Sequence, residues 1–219
     1  MIELAIFDLD GVIVDTAKYH YQAWKRLAAE LGFFFSEEHN ERLKGVSRMR
    51  SLEILLEVGG IQKSPAEMHE LAEKKNQWYV EYITQMDESE ILPGVLDFLA
   101  EVKITGAKIA LGSASKNAKL ILDRLHLTAS FDLIVDGTKV SKAKPDPEVF
   151  SLAAHELNIA PERCVVFEDA FAGIEAGIRA GMYTIGVGDG DILKDAHLVV
   201  PNLDGKSYIE LCKRLPEHP

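Results

Sequence analysis

Short, uninterrupted apolar runs punctuate the chain at wide intervals. Leu4-Ala5-Ile6-Phe7 ends in the polar cluster Asp8-Leu9-Asp10-Gly11, and similar runs occupy residues 107–111, 133–135, 164–167, 184–187 and 198–200. A continuous apolar run bounded by turn residues suits a strand buried on both faces, as in a parallel sheet. Between these runs, apolar residues recur at helical spacing over 95–103 (after Pro93-Gly94), 117–125, 147–157 and 172–180, the last closed by Gly181. Strands alternating with helices of that length predict βαβ units and a parallel α/β sheet.

Residues 16–87 break the rhythm. Tyr21, Trp24, Leu27, Ala28 and Leu31 repeat at three- and four-residue spacing, with Gly32 placed to end that helix. A second helix is expected over 48–58, stopping at Gly59-Gly60. A third starts at Ser64-Pro65-Ala66-Glu67, a capping box with Pro at the first helical position, and continues through Leu71, Trp78, Tyr82 and Met86. No strand candidate lies in this block. The expected organisation is an α/β core of residues 1–15 and 88–219, interrupted by a helical cap of residues 16–87.

Composition narrows the function classes. Of 219 residues, 24 are Lys or Arg and 35 are Asp or Glu, a formal charge of −11, which argues against general binding to nucleic acid or an anionic membrane. With 47% hydrophobic and 27% charged residues the chain reads as an ordinary globular protein. No apolar run reaches the ~18 residues of a membrane span, and Met1 leads directly into the first strand, so a cytoplasmic protein is expected. Cys164 and Cys212 stand apart, without the spacing of a zinc knuckle or a disulfide framework.

Four polar clusters follow the predicted strands, where ligands of open α/β sheets bind. Asp8 and Asp10 can divide labour as nucleophile or metal ligand and as acid or base, although an Asp-rich turn with Gly11 at positive φ explains them equally well. Gly112-Ser113-Ala114-Ser115-Lys116-Asn117 can hydrogen-bond a phosphate, or can simply cap a helix. Lys144 precedes a Pro-initiated helix and can offer a compact positive charge; a solvated lysine is the plainer alternative. Glu168 and Asp169 close another strand, where two more acids beside Asp8 would suit Mg²⁺. The stretch Gly186-Val187-Gly188-Asp189-Gly190 lacks the spacing and following helix of a dinucleotide loop.

Each cluster is weak alone, but their order is specific. The segment from Asp8-Leu9-Asp10-Gly11 to Asp15-Thr16 resembles the first motif of the haloacid dehalogenase superfamily of phosphotransferases, and Ser113, Lys144 and Glu168-Asp169 match the other three. The resemblance spans essentially the whole chain. It implies a Rossmann-like parallel sheet flanked by helices, with an inserted all-helical cap. Further matches, more specific than these, are similar to the branch that interconverts β-glucose 1-phosphate and glucose 6-phosphate. They are Thr16, His20 and Trp24; Lys44-Gly45-Val46-Ser47-Arg48; Lys75-Asn76; and Ser113-Ala114-Ser115-Lys116-Asn117. A packed helix face for His20 and Trp24, and a solvated one for Arg48 and Lys75, are the bland alternatives. Ala170 departs from the hydroxyl residue of many relatives and leaves the carboxylates intact.

What the resemblance implies is concrete. Asp8 becomes an aspartyl phosphate, and Asp10 acts as acid and base toward sugar hydroxyls. One Mg²⁺ is held by Asp8, the Asp10 carbonyl and Asp169, with Glu168 close by. Lys144, Ser113 and Ala114 hold phosphate oxygens. Thr16 and His20 steer Asp10, and Arg48 with Ser115 and Asn117 holds a second phosphate. Gly45, with the segments near Thr16 and Asp87, supplies hinges. The substrate expected is a small sugar phosphate and the protein a monomer, with a sugar-phosphate phosphatase as the alternative activity. A catalytically idle binding module is disfavoured by the joint presence of Asp8, Asp10, Lys144 and Asp169.

Overall fold

The computed structural model describes residues 1–43 and 46–217. In chain order the elements are β1 (Leu4–Phe7), α1 (Ala17–Glu30), α2 (Glu37–Glu41), α3 (Arg48–Gly59), α4 (Pro65–Ile83), α5 (Val95–Thr105), β2 (Lys108–Gly112), α6 (Ala118–Arg124) and β3 (Leu133–Val135). They continue with α7 (Glu148–Glu156), β4 (Cys164–Glu168), α8 (Phe171–Arg179), β5 (Tyr183–Val187), β6 (Leu198–Val200) and α9 (Tyr208–Lys213). Contacts divide the chain into two compact units, one of 1–15 with 87–219 and one of 16–86.

The first unit meets the α/β expectation. Its six described strands form one parallel sheet in the order β3-β2-β1-β4-β5-β6. β1, β2, β4 and β5 are almost wholly buried, which is why they read as unbroken apolar runs. On one face Phe7 stacks on Phe167 at 4.7 Å between ring centres, Phe98 of α5 stands edge-on to both, and Tyr208 of α9 lies edge-on to Phe98 and tilted against Phe167. Leu4, Ile6, Ala110 and Val166 pack with Phe150 and Ala153 of α7 and with Met182 in a second cluster. Register then fixes the functional edge. Phe7 lies level with Leu111 and with Phe167, so Asp8, the Ser113 loop and Glu168 leave the sheet side by side.

The second unit is helical throughout its described residues. α1 buries Ala23, Trp24, Leu27 and Ala28, and α4 buries Ala72, Lys75, Trp78, Tyr79 and Ile83. The Ser64–Glu67 capping box forms as the sequence indicates, with Ser64 N–H donating to Glu67 Oε2 at 2.9 Å. The third cap helix stops at Ile83, short of Met86. Two helices have no counterpart in the periodicity, α2 and α9. Both are under two turns long, too short for an apolar stripe to show, and each is started by a serine, Ser36 and Ser207. Among the described residues, no helix is long and apolar enough to cross a membrane.

Candidate active site

Where β1 ends, the chain turns sharply. Asp8 N–H still donates to the Phe167 carbonyl at 2.9 Å, extending the sheet one residue beyond the strand. Gly11, at φ +79°, then reverses the chain, and its N–H donates to the Val14 carbonyl at 2.8 Å. The loop leaves Asp8 7% exposed and Asp10 half-buried.

Lys144 reaches Asp8 from the loop before α7. Its Nζ donates to Asp8 Oδ1 at 2.5 Å and to Glu168 Oε1 at 3.2 Å, and it sits 4.8 Å from the centre of the Phe150 ring. Lys144 and Glu168 are 9% and 2% exposed, so this ion pair is shielded from water, unlike the exposed pairs elsewhere on the chain. Burial alone pulls the Lys144 ammonium down, but the charges of Asp8 and Glu168 outweigh it and hold the lysine above its ordinary range. For Glu168, burial first and then the charge of Asp8 push the carboxyl well above the usual carboxylate range, against the pull of Lys144.

Glu168 and Asp169 divide their oxygens. Glu168 Oε2 accepts the Asp169 N–H at 2.9 Å, and oxygens of Asp8, Glu168 and Asp169 all lie within 4.8 Å of one another. Three carboxylates against one ammonium leave a surplus of about two negative charges, and all the donors are hard oxygens, a set that fits a divalent cation of the magnesium class. Space for the acids comes from two glycines. A Cβ at Gly11 would overlap Asp169 Oδ2, and one at Gly173 in α8 would overlap Glu168 Oε1. The side chain of Asp10 is not in the carboxylate cluster.

The Ser113 loop continues β2. Ser113 is buried, and its Oγ accepts the Ser115 N–H at 3.1 Å; Ser115 Oγ in turn accepts the Asn117 N–H at 3.2 Å. Ala114 is exposed on this turn. Asn117 precedes α6 without a side-chain capping bond, so the ordinary helix-cap explanation does not hold for it.

The helical unit gathers several of the remaining candidates. Lys75 is 2% exposed, which contradicts a solvated face. Its Nζ lies 2.8 Å from His20 Nδ1 and over the rings of Trp24 and Tyr79, at 4.5 and 4.7 Å. His20 stacks on Tyr79 at 4.0 Å. An ammonium can only donate, so Nδ1 accepts and the His20 proton sits on Nε2. Burial, then the charges of Lys75 and Arg48, hold His20 well below the ordinary histidine range. Arg48 is ion-paired with Glu73 of α4 at 2.7 Å. Thr16 is wholly buried before α1, Ser47 Oγ caps α3 by accepting the Arg50 N–H, and Val46 lies exposed beside it. Gly45 lies outside the described residues. Ser115 and Asn117 belong to the α/β unit and Arg48 to the helical one. Phe150, Gly173 and Glu73 were not singled out by the sequence.

Comparison with known proteins agrees with this geometry. A family model described as haloacid dehalogenase-like hydrolase matches residues 2–181. A β-phosphoglucomutase of Bacillus subtilis is 45% identical over 201 residues, covering 91% of this chain and 89% of that protein. A phosphorylated carbohydrates phosphatase of Thermotoga maritima is 34% identical, covering 90% and 93%. The crystal structure of a β-phosphoglucomutase from Clostridium difficile superposes with a TM-score of 0.92 at 44% identity, covering 98% of this chain and 97% of that one. The chain belongs to the haloacid dehalogenase-like hydrolase family.

Two consequences can be measured. Gly173→Ala should weaken Mg²⁺ binding at least tenfold by calorimetry, although alanine favours a helix by about 1 kcal/mol; unchanged affinity would contradict the room assigned to Glu168. His20 should still be neutral by NMR at pH values where an ordinary histidine, near ~6.5, is already charged. Because the unfolded chain takes up that proton and the fold does not, the stability His20 contributes is complete above ~6.5 and declines as pH falls below it. A His20 midpoint near ~6.5 would refute this.

Proposed function

We propose that this chain is a β-phosphoglucomutase, converting β-glucose 1-phosphate to glucose 6-phosphate through an aspartyl phosphate on Asp8 and β-glucose 1,6-bisphosphate. The observation that carries the reading is the Asp8 carboxylate held at the end of β1 by a buried ammonium and flanked by two further acids. The close likeness to proteins named β-phosphoglucomutase supports the sugar assignment.

Phosphoryl transfer asks mainly for alignment and charge stabilisation. An Asp8 oxygen forms the new bond to phosphorus as the bond from phosphorus to the donor oxygen breaks. Asp10 gives its proton to that leaving oxygen, and in the return step takes one from the sugar hydroxyl that accepts the phosphate. Lys144 aims the Asp8 carboxylate through their ion pair, and with Ser113 and the Ala114 segment it meets the oxygens of the transferring group. Asp8, Asp169 and the Asp10 carbonyl, with Glu168 beside them, would hold Mg²⁺, which would supply positive charge to offset that on those oxygens.

The bisphosphate carries a second anion, which needs cations of its own. Arg48 in the helical unit, with Ser115 and Asn117, is assigned to it, since a guanidinium matches two phosphate oxygens at once. Thr16, His20, Trp24 and Lys75 are assigned to positioning Asp10 and the sugar. The protein acts on a small sugar phosphate as a cytoplasmic monomer.

The test is a product assay with β-glucose 1-phosphate, Mg²⁺ and a trace of bisphosphate. Glucose 6-phosphate should accumulate, Asp8→Asn should abolish it, and Asp10→Ala should lose sugar transfer while still binding Mg²⁺. Release of inorganic phosphate alone would mean a sugar-phosphate phosphatase instead.

A further inference from the structure

The turn that follows β3 is built against the Ser113 loop, and no role is assigned to it above. Ser113 N–H donates to the Val135 carbonyl at 3.0 Å, and Gly137 N–H donates to the Ser115 carbonyl at 3.1 Å. The turn itself is held by Asp136, 7% exposed, whose Oδ1 accepts from the Thr138 N–H at 2.9 Å and from its hydroxyl. Between these bonds the backbones meet. A Cβ at Gly137 would fall well inside contact distance of the Ala114 carbonyl oxygen and 3.2 Å from Lys116 Cγ. The clash is with main chain, which cannot swing aside as a long side chain can.

That carbonyl matters because of what its peptide does at the other end. In a planar trans peptide the C=O and the N–H point in opposite directions. The Ala114 carbonyl is directed at Gly137, so the Ser115 N–H of the same peptide points away from it, and there it donates to Ser113 Oγ at 3.1 Å. A hydroxyl has one proton and two lone pairs. With one lone pair taken by Ser115, the Ser113 proton is left for an outside acceptor.

We propose that Gly137 is a positioning residue for phosphoryl transfer: by admitting the Ala114 carbonyl it fixes the peptide that orients the Ser113 hydroxyl toward a phosphate oxygen. This rests on the reading of the α/β unit as a phosphoryl-transfer site. A side chain at 137 turns the Ala114–Ser115 peptide, withdraws the Ser115 N–H from Ser113, and lets the hydroxyl rotate.

A double-mutant cycle tests it, read as the rate at which acetyl phosphate with Mg²⁺ labels Asp8, followed by intact mass. Gly137→Ala should slow labelling about 10- to 100-fold, the scale of one hydrogen bond to a charged acceptor. Ser113→Ala should slow it similarly, and the double variant should be no slower than Ser113→Ala alone. Losses that multiply, or an unaffected Gly137→Ala protein, would overturn the proposal. So would a Gly137→Ala chain that is unfolded where Gly190→Ala, placed in open space, is folded, since that makes Gly137 merely structural. An unlabelled wild-type chain would overturn it together with the phosphoryl-transfer reading. Labelling without glucose 6-phosphate formation would overturn only the sugar assignment.

Discussion

A single buried ammonium holds the catalytic edge of this sheet together. Asp8, Glu168 and Asp169 bring three carboxylates within 4.8 Å of one another, and Glu168 and Asp8 are almost out of reach of water. Like charges at that range in a poorly screened site repel strongly. Lys144 offsets part of this by donating to both Asp8 and Glu168, while burial, and after it the charge of Asp8, still pushes the Glu168 carboxyl above the usual carboxylate range. The remaining surplus is what a divalent cation is suited to neutralise. The site is therefore under electrostatic tension that the fold has to contain.

Much of the surrounding structure can be understood as containing it. The parallel register brings the ends of β1 and β4 level, so the acids share one edge whatever their sequence separation. Two glycines leave the volume into which Asp169 and Glu168 fold, and the Phe150 ring lies against the ammonium where a polar group would otherwise compete for it. The Ser113 loop, held from behind by the turn after β3, adds a donor without adding charge. The helical unit shows the same economy on a smaller scale. Its buried Lys75 lies against the His20 imidazole and the faces of Trp24 and Tyr79.

How much of this the sequence discloses depends on the range of the interaction. The β strands are legible because burial on both faces leaves continuous apolar runs, and the long cap helices because their stripes repeat over several turns. The order Asp8, Ser113, Lys144, Glu168-Asp169 is legible because a βαβ topology returns each strand end to one edge. Contacts between distant side chains are not. Nothing in the pattern around Lys75 separates a solvated lysine from one enclosed by His20, Trp24 and Tyr79, since the deciding residues lie on another helix or one turn away. Glu73 is equally silent as the partner of Arg48. Gly137 sits in an unremarkable turn, and only the approach of the Ala114 carbonyl distinguishes it. The short helices α2 and α9 escape for lack of length, although the serines that start them are in plain view.

If Lys144 restrains the repulsion among the acids, a bound cation can take over that duty. Thermal unfolding of the metal-free protein at pH 8, with and without Lys144→Met, addresses it directly. Breaking a buried pair of this kind costs about 3–5 kcal/mol, so the metal-free variant should melt about 10 °C lower, and Mg²⁺ should raise its melting temperature more than that of the wild type. Equal melting of the two metal-free proteins, or an equal response to Mg²⁺, would contradict the account.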